Sequence, residues 1–295
     1  MKNKGWLVIG SATLIAVGYA LYDFQAEKRL NERKSEQNRI VRFDRDQINQ
    51  VEISTRGEAA MKIRLARSSE GWRLEEPLQE LADQNAVTDF VEGIATEQSQ
   101  DVSPEGEEID WKVFGLDEPR GFITVQNNMG ERVVLAISSK RNYQGEAFLR
   151  RDQEKKVLLA SATWFVRLER GVLDFRDKRL LRRPMAGIES LTYSRLGDTW
   201  TLNYLDGKWS VAGQPEIALD QNKVRELLGL FNNPVITDFV KNPVPAGFDL
   251  KPFGLNPPKA RVVFKFSEGA PFQADVGTDK DKYDFVLTSE PSQLV

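Results

Sequence analysis

Apolar and polar residues alternate along the chain after about residue 40. Apolar residues recur at every second position in two adjacent segments, a pattern typical of half-buried antiparallel strands. These residues are Val51, Ile53, Met61, Ile63 and Leu65. The same criteria predict a strand at Trp72 and Leu74 and four more over residues 122–126, 133–137, 147–149 and 157–160. This region therefore predicts a large antiparallel sheet.

Between these strands, apolar residues recur with the spacing of a helical face and no longer at every second position. Apolar residues follow Asp83 at the i, i+3, i+4, i+7 spacing of one helical face, and they are Val87, Phe90, Val91 and Ile94. Asp83 stands where a helix N-cap belongs. We expect this helix to cover the sheet. A second, short helix is predicted from Trp164 to Arg170, with Ser161 or Thr163 as its N-cap and Gly171 at its end.

The whole pattern occurs twice. The motif from Phe114 to Pro119 returns from Phe253 to Pro258, and Trp72 and Asp83 return 137 residues later as Trp209 and Asp220 (209 − 72 and 220 − 83). The apolar helix positions return as Val224, Leu227, Leu228 and Phe231. Such self-similarity predicts a duplicated α+β domain, with repeats over 41–183 and 184–295, each an antiparallel sheet covered by an amphipathic helix.

The repeated motif is predicted to be a turn. Its glycine, Gly115 or Gly254, permits backbone angles closed to other residues, and its proline ends any helix. The motif's Phe and Leu are expected to pin the turn to the core. Because Phe285 matches Phe148, the second repeat should end near the counterpart of Val157, one element shorter than the first. The sequence leaves open whether the second repeat dispenses with that helix or is truncated.

An uncharged run from Gly5 to Tyr22 precedes the repeats. As a helix, it is about 27 Å long at roughly 1.5 Å per residue, close to the thickness of a bilayer's hydrocarbon core. Lys2 and Lys4 favour a cytoplasmic N-terminus, so we expect a single-pass signal-anchor in the bacterial inner membrane, with residues 23–295 on the periplasmic side. A cleaved signal peptide ending near Ala20 is the alternative. Residues 23–40 are highly charged and predict a solvated stalk.

Composition excludes several functions. With no cysteine and no histidine, the chain has no thiolate nucleophile, no cysteine zinc site and no imidazole for acid–base catalysis or metal binding. A net charge of -3 argues against a nucleic-acid partner. We predict no catalytic, cofactor-binding or metal-binding residues and no cofactor.

Charge is unevenly distributed within the first repeat. Residues 68–119 are acidic and residues 120–183 are basic, and we expect the two segments to complement each other within one fold. A basic patch for phosphate or lipid headgroups is the alternative. Residues 98–110 are polar and acidic and predict a loop, which lacks the ligand order of a calcium-binding loop.

Several modest motifs together resemble a known family. They are the basic N-terminus with its apolar span, the charged stalk, Gly71-Trp72, the helix starts at Ala82-Asp83 and Leu219-Asp220, the repeated turn motif and the connector from Phe175 to Lys178. The chain is similar to the uncharacterised domain-of-unknown-function family forty-three-forty. This resemblance implies a membrane-anchored, extracytoplasmic protein that accompanies ABC-type transporters similar to gliding-motility auxiliary components. It implies no catalytic residues. Ser138 departs from the pattern, because the second repeat has Gly277 there.

The expected function is non-enzymatic binding or scaffolding in the cell envelope, with an ABC-type transporter as one candidate partner. The alternative is a carboxylate-based glycan hydrolase or a polysaccharide-binding module. A hydrolase needs two carboxyl groups that face one cleft. The candidate pairs are Glu105 with Asp110 and Asp117 with Glu118.

Overall fold

The computed structural model describes Phe24, Arg29 and residues 35–57, 60–106, 108–233, 236–277 and 284–295. The predicted anchor over residues 5–22 and most of the predicted stalk lie outside this part of the chain. Within it, no helix combines the length and the apolar character that crossing a membrane requires. The chain divides into two compact units, Met1–Arg176 and Asp177–Val295.

In its described residues, the first unit contains a nine-stranded antiparallel sheet with the order β4-β3-β2-β1-β6-β7-β8-β9-β5. The strands are β1 (Ile48–Thr55), β2 (Lys62–Ser68), β3 (Gly71–Glu76), β4 (Glu80–Leu81), β5 (Gln100–Asp101), β6 (Gly121–Asn127), β7 (Arg132–Arg141), β8 (Ala147–Arg151) and β9 (Leu158–Ala160). The strands predicted from the alternating pattern are confirmed. Their alternate residues are fully buried because the pleat turns every second side chain to the core face.

Helices cover this core face. They are a 3-10 turn (Arg45–Gln47), α1 (Gln84–Thr96), α2 (Thr163–Glu169) and α3 (Val172–Phe175). The carboxylate of Asp83 accepts the backbone N–H groups of Asn85 and Ala86 at 3.0 and 3.1 Å, so the predicted N-cap of α1 is confirmed. The four predicted core positions of α1 are all buried. The predicted helix, residues 164–170, is present as α2.

The predicted caps of α2 are wrong. Its N-cap is Ala162, which makes no side-chain capping bond. Ser161 instead donates its hydroxyl to the carboxylate of Glu97 at 2.5 Å, a charge-assisted hydrogen bond, and makes no side-chain bond to the backbone N–H groups of the helix start. Thr163 is the first residue of the helix itself.

The second unit has a seven-stranded antiparallel sheet with the order β12-β11-β10-β13-β14-β15-β16. Its strands are β10 (Ile188–Arg195), β11 (Asp198–Leu205), β12 (Lys208–Val211), β13 (Ala260–Phe266), β14 (Phe272–Val276), β15 (Val286–Ser289) and β16 (Ser292–Leu294). One α-helix, α4 (Gln221–Asn232), and a 3-10 turn (Lys251–Phe253) complete its described elements. Asp220 caps α4 as Asp83 caps α1.

The two sheets share strand order and register. The seven strands of the second sheet match β3, β2, β1, β6, β7, β8 and β9 in sequence. Even an irregularity is repeated, since the pairing shifts between Ile48 and Gln50 in one sheet and between Ile188 and Ser190 in the other. Shared register therefore fixes which residues are equivalent: Ile53, for example, occupies the place of Tyr193.

The two units divide between Arg176 and Asp177, whereas the repeat pattern predicts a boundary after residue 183. Backbone hydrogen bonds explain why the boundary lies before residue 177 and not after residue 183. Arg176 forms a bridge with Ala82 of the first unit. Lys178 instead accepts the N–H of Ile236 at 3.0 Å, within the second unit. The connector residues from 177 to 183 thus belong to the second fold.

Acidic and basic segments of the first unit do pair with each other. Arg176 lies 2.6 Å from Glu80, and Arg167 lies 2.5 Å from Glu97, with all four side chains largely buried. Lys156 lies 3.0 Å from Asp101. These three ion pairs support charge complementation within one fold.

Residues 98–110 are not entirely a loop. Gln100 and Asp101 form β5, which pairs with β9 and closes one edge of the sheet. The prediction missed this strand because two residues are too few to show an alternating pattern. In the second unit the same edge carries a single bridge between Lys241 and Leu294.

Candidate functional site

The second unit contains an apolar groove with a volume of about 550 Å³. This volume lies within the range of about 300–1,000 Å³ that is usual for ligand pockets. The groove lies between the sheet and α4, and Leu180 of the connector contributes to its lining. Its apolar lining consists of Leu180, Leu191, Tyr193, Trp200, Leu227, Leu230, Phe231, Ala260, Val262 and Val276. Among the described residues, the lining of the groove includes no carboxylate.

Strand and helix periodicity place these side chains together. Leu191 and Tyr193 are two residues apart on β10 and therefore point to the same face. Trp200 pairs with Tyr193 across the β10–β11 ladder, and their ring centroids are 5.0 Å apart. On α4, Leu227, Leu230 and Phe231 follow the i, i+3, i+4 spacing of one face. The result is a contiguous apolar surface.

This surface is unusually open for large apolar residues. Trp200 is 39% exposed and Leu230 is 58% exposed. Contiguous exposed apolar patches on soluble domains commonly mark interaction sites. Two cations, Arg195 and Lys259, lie at the groove as exposed side chains. The ammonium of Lys259 is 3.8 Å from the carboxylate of Asp284.

The equivalent surface of the first unit is closed. Ile53 and Ile63, which occupy the places of Tyr193 and Trp200, are fully buried, as is Ile123 at the place of Val262. Helix α2 packs against β1, β6 and β7 at this place. Its Trp164, Phe165 and Leu168 belong to the buried core.

Two glycines permit this close packing. A Cβ atom on Gly121 would lie 2.4 Å from the backbone oxygen of Ser54 and 2.8 Å from the side chain of Leu168. A Cβ on Gly93 would lie 2.9 Å from the guanidinium of Arg167, which donates to the Gly93 carbonyl at 3.1 Å.

In the second unit neither position is glycine. Strand register places Ala260 at the position of Gly121, and the displacement of 137 residues places Leu230 at that of Gly93 (230 − 93). Among the described residues of the second unit, no helix equivalent to α2 covers the groove, and β16 is the last element described. Sequence reasoning did not identify this groove. A position-by-position comparison of the two repeats would have pointed to it, because Ile63 becomes Trp200 and Gly93 becomes Leu230.

A second groove of about 550 Å³ lies beside Trp209, and we call it the Trp209 groove. It is lined by Met185, Ala186, Gly187, Ile188, Tyr204, Gly207, Trp209, Gln221, Arg225 and Leu228. Its polar side chains are already engaged within the fold. Arg225 donates to the carbonyl of Gln221 and to the side chain of Asn222. This engagement makes the Trp209 groove the weaker candidate.

A glutamine bonds to both peptide groups of the repeated tryptophan in each unit. Gln84 accepts the N–H of Trp72 at 2.7 Å and donates to its carbonyl at 2.9 Å. Gln221 makes the same two bonds to Trp209, at 2.9 and 3.0 Å. The glutamine is the first residue of the covering helix, so it ties that helix to the strand that carries the tryptophan. Sequence analysis missed this function, although both glutamines follow the capping aspartates directly.

The repeated motif is a turn, as predicted. Gly115 and Gly254 have φ values of 66° and 64°, in the left-handed region that favours glycine. Leu116 and Leu255 are buried and hold the turn against the core.

The motif's phenylalanine has the same partner in both units. Phe114 packs edge-on against Phe148 at 5.2 Å between ring centroids, and Phe253 packs edge-on against Phe285 at 5.1 Å. The turn and core contacts predicted for this motif are therefore confirmed, and Trp72 and Trp209 are also buried.

Ser138 fits its position without a glycine. It is fully buried, donates its hydroxyl to the Lys140 carbonyl at 2.6 Å and accepts the N–H of Phe148 at 3.2 Å. In the second unit a Cβ on Gly277 would lie 2.0 Å from the carbonyl oxygen of Phe253. The glycine is thus required by the closer approach of the second turn.

The four candidate carboxylates lie at the surface. Glu105, Asp110, Asp117 and Glu118 are all exposed, and none lines the apolar groove or the Trp209 groove. Asp110 accepts the N–H of Lys112 at 3.0 Å, which is an ordinary turn contact. In the part of the chain that the structure describes, no group of three or more acidic side chains is placed to hold a metal ion.

Comparisons with known proteins give a family and no characterised relative. Neither the curated proteins nor the solved structures yield a match. The family described as a domain of unknown function (DUF4340) matches residues 72–258, which is more than half of the chain, and the chain belongs to that family.

Proposed function

We propose that the chain is a non-enzymatic binding protein of the bacterial cell envelope and that its second unit binds a protein partner through the apolar groove. The observation that carries this proposal is the groove itself. It leaves Trp200 and Leu230 exposed at a place where the first unit buries the equivalent surface under α2. A folded domain gains stability by covering such a surface, and the partner supplies that cover.

The membrane location is a separate part of the proposal. It rests on the uncharged run over residues 5–22 and the lysines before it, which favour an inner-membrane anchor with residues 23–295 on the periplasmic side. An ABC-type transporter is the candidate partner that the family resemblance implies. The lining of the groove is largely apolar, like the fully buried core of a protein interface.

A glycan hydrolase is the alternative that the sequence raised. Hydrolysis by paired carboxylates requires two of them across one cleft, about 5 to 9.5 Å apart. The four candidate carboxylates are exposed and lie outside both grooves, so no observed geometry favours this reaction.

Site-specific photocrosslinking in the producing cells tests the binding proposal. A photoreactive amino acid is placed at Leu230, which is 58% exposed in the groove, and at Leu205, which is 71% exposed outside it. We expect a discrete crosslinked product from position 230 and none from position 205. Equal products from both positions, or no product from 230 in cells that contain the full chain, would contradict the proposal.

A further inference from the structure

We propose that Gln221 blocks one edge of the second sheet and so prevents another copy of this chain from adding a strand there. The edge is the outer side of β12, which no further strand covers in the part of the chain that the structure describes, and we call it the β12 edge. A sheet edge with unpaired peptide groups is a template for pairing with another chain. This proposal is independent of the apolar groove and of what binds there.

Strand register shows which peptide groups of β12 point outward. Ala212, directly after β12, donates its N–H to the carbonyl of Thr201 on β11 at 2.8 Å. In an antiparallel ladder, hydrogen-bonded pairs alternate with non-hydrogen-bonded pairs. Trp209 and Val211 therefore belong to non-hydrogen-bonded pairs, and their N–H and C=O groups point away from β11. These are the groups that an added strand would bond.

Gln221 occupies the bonding positions of Trp209. Its side-chain oxygen accepts the Trp209 N–H at 2.9 Å, and its side-chain nitrogen donates to the Trp209 carbonyl at 3.0 Å. A primary amide carries both a donor and an acceptor, so it can bond to an N–H and a C=O as a neighbouring strand does. One side chain therefore takes the place of the next strand at this residue.

The first unit covers the equivalent position with backbone as well as with its glutamine. Strand β4 pairs with β3 there, and Ala82 donates its N–H to the Trp72 carbonyl at 2.9 Å. Gln84 adds its two bonds to this backbone cover. Removal of the Gln84 side chain leaves β4 in place, so we expect the first sheet to stay closed to another chain without it.

The described residues of the second unit do not include such a backbone cover. Ile217 and Ala218 stand 137 residues after the two residues of β4 (217 − 80 and 218 − 81). Neither residue is in a strand, and Ile217 is 43% exposed. The block at the β12 edge therefore depends on Gln221 far more than the block in the first unit depends on Gln84.

A second copy of this chain fits an unblocked β12 edge because two such strands can pair antiparallel about a two-fold axis. One register bonds Trp209 of each copy to Val211 of the other, and it uses both outward-pointing residues of each strand. The position is accessible, since the Trp209 groove is lined by Gly207, Trp209 and Gln221. The β12 edge is therefore self-complementary once Gln221 is removed.

Matched glutamine variants test the proposal on the full chain. Gln221→Leu removes both side-chain bonds to Trp209, and Gln84→Leu makes the same change beside β4. We expect Gln221→Leu to self-associate as the protein concentration rises, whereas Gln84→Leu associates no more than the unchanged chain. Analytical ultracentrifugation measures the mass of each protein. Equal association of the two variants would overturn the proposal.

Amide exchange shows whether association occurs at the β12 edge. In Gln221→Leu, the Trp209 amide should exchange quickly in dilute solution and about tenfold more slowly once the variant associates. Amides of β10 and β13 should keep their protection throughout, because strand addition requires a folded sheet. Association that leaves the Trp209 amide unprotected would contradict the proposal.

A single cysteine tests the register of the pairing. The chain has no cysteine, so Ser210→Cys introduces one thiol between the two outward-pointing residues of β12. In the register described above, residue 210 of the two copies forms a non-hydrogen-bonded pair with Cα atoms about 4.5 Å apart, within the range of a disulfide. With Gln221→Leu, mild oxidation should give a linked dimer, and with Gln221 retained it should give far less. Equal yields in the two backgrounds would show that Gln221 does not block this pairing.

A shorter amide separates edge pairing from unfolding. If Gln221→Leu loses protection across β10 and β13, the same measurements on Gln221→Asn decide the outcome. Its side chain is one methylene too short to make both Trp209 bonds, and it keeps a polar residue at the start of α4. Association of this variant with a protected Trp209 amide supports the proposal, and a folded variant that does not associate overturns it.

Discussion

The two units have sheets of matching strand order, but the core face of each sheet is covered differently. In the first, α1 and α2 together bury Ile53, Ile63 and Ile123 completely. In the described part of the second, α4 is the one α-helix that covers the face, and the equivalent Tyr193 and Trp200 remain partly exposed. Strand order, register and the capped helix are common to both. The difference therefore lies in the cover and not in the sheet.

If the apolar groove binds a partner as proposed, the two repeats show how a duplicated fold acquires an interaction surface. Leu230 and Ala260 stand at the positions of Gly93 and Gly121, and Lys259 keeps a cation at the position of Arg120. Aromatic residues also replace aliphatic ones there, and aromatic residues are enriched in the buried centres of protein interfaces.

The largest contrast should appear on truncating the tryptophans of the two surfaces. Trp164→Ala removes a fully buried side chain of α2 that packs on the first sheet and is expected to destabilise that sheet by about 3–5 kcal/mol. Trp200→Ala removes a partly exposed one and should cost the second sheet about 1–2 kcal/mol. Hydrogen–deuterium exchange of β6 and β13 peptides reports each sheet separately. Equal losses in the two sheets would show that the second face is as fully covered as the first.

The glutamine contact gives a smaller contrast. Gln84→Ala leaves the peptide groups of Trp72 without their side-chain partner and should cost about 2–3 kcal/mol. Gln221→Ala should cost about 1 kcal/mol, because water in the Trp209 groove can reach the groups it leaves. Amide exchange at Trp72 and Trp209 measures both. The matched variants Gln84→Glu and Gln221→Glu keep the acceptor and should retain part of the protection. A larger loss of amide protection at Trp209 than at Trp72 would contradict the interpretation that water reaches this contact more easily in the second unit.

Most of the fold could be predicted from the sequence because its signals are periodic and local. Alternation located the long strands, and the spacing after Asp83 and Asp220 located α1 and α4 with their buried faces. The repeated Phe-Gly-Leu turn was identified for a physical reason, since only glycine takes its backbone angles without strain.

What the sequence could not show depends on contacts between distant residues. The strand β5 is two residues long, and the ion pair of Arg167 with Glu97 joins positions 70 residues apart. The apolar groove is the clearest case. Trp200 is 39% exposed on β11, and no α2-like cover is present among the described residues.

The N-caps provide a control on the comparison, because here the two units should agree. Asp83→Ala and Asp220→Ala each remove an acceptor for two backbone N–H groups at a helix start. Each is expected to cost about 1 kcal/mol, measured as faster amide exchange in the first turn of α1 or α4. Asp→Asn at either position keeps the cap and should change little. A strongly unequal pair of losses would mean that the helices are not equivalent.

The smallest effect is a pH response confined to the edge of the first sheet. The hydroxyl of Ser103, with a further contribution from Lys156, lowers the pKa of Asp101 below its ordinary value of 3.8. Because this carboxylate is more acidic in the folded state, its contribution to stability is present above pH 3.8 and is lost as the pH falls through the lower, folded-state pKa.

Since the Asp101 side chain is 43% exposed, solvent limits this contribution to less than about 1 kcal/mol. The amides that pair β5 with β9 should therefore lose protection as the pH falls below 3.8, and Asp101→Asn should show that loss already at neutral pH. The bridge between Lys241 and Leu294 occupies the same edge of the second unit without such a carboxylate pair. Its amides, followed by exchange at the same pH values, should show only the intrinsic pH dependence. An equal acid response at both edges would indicate general acid unfolding, with no local contribution from Asp101.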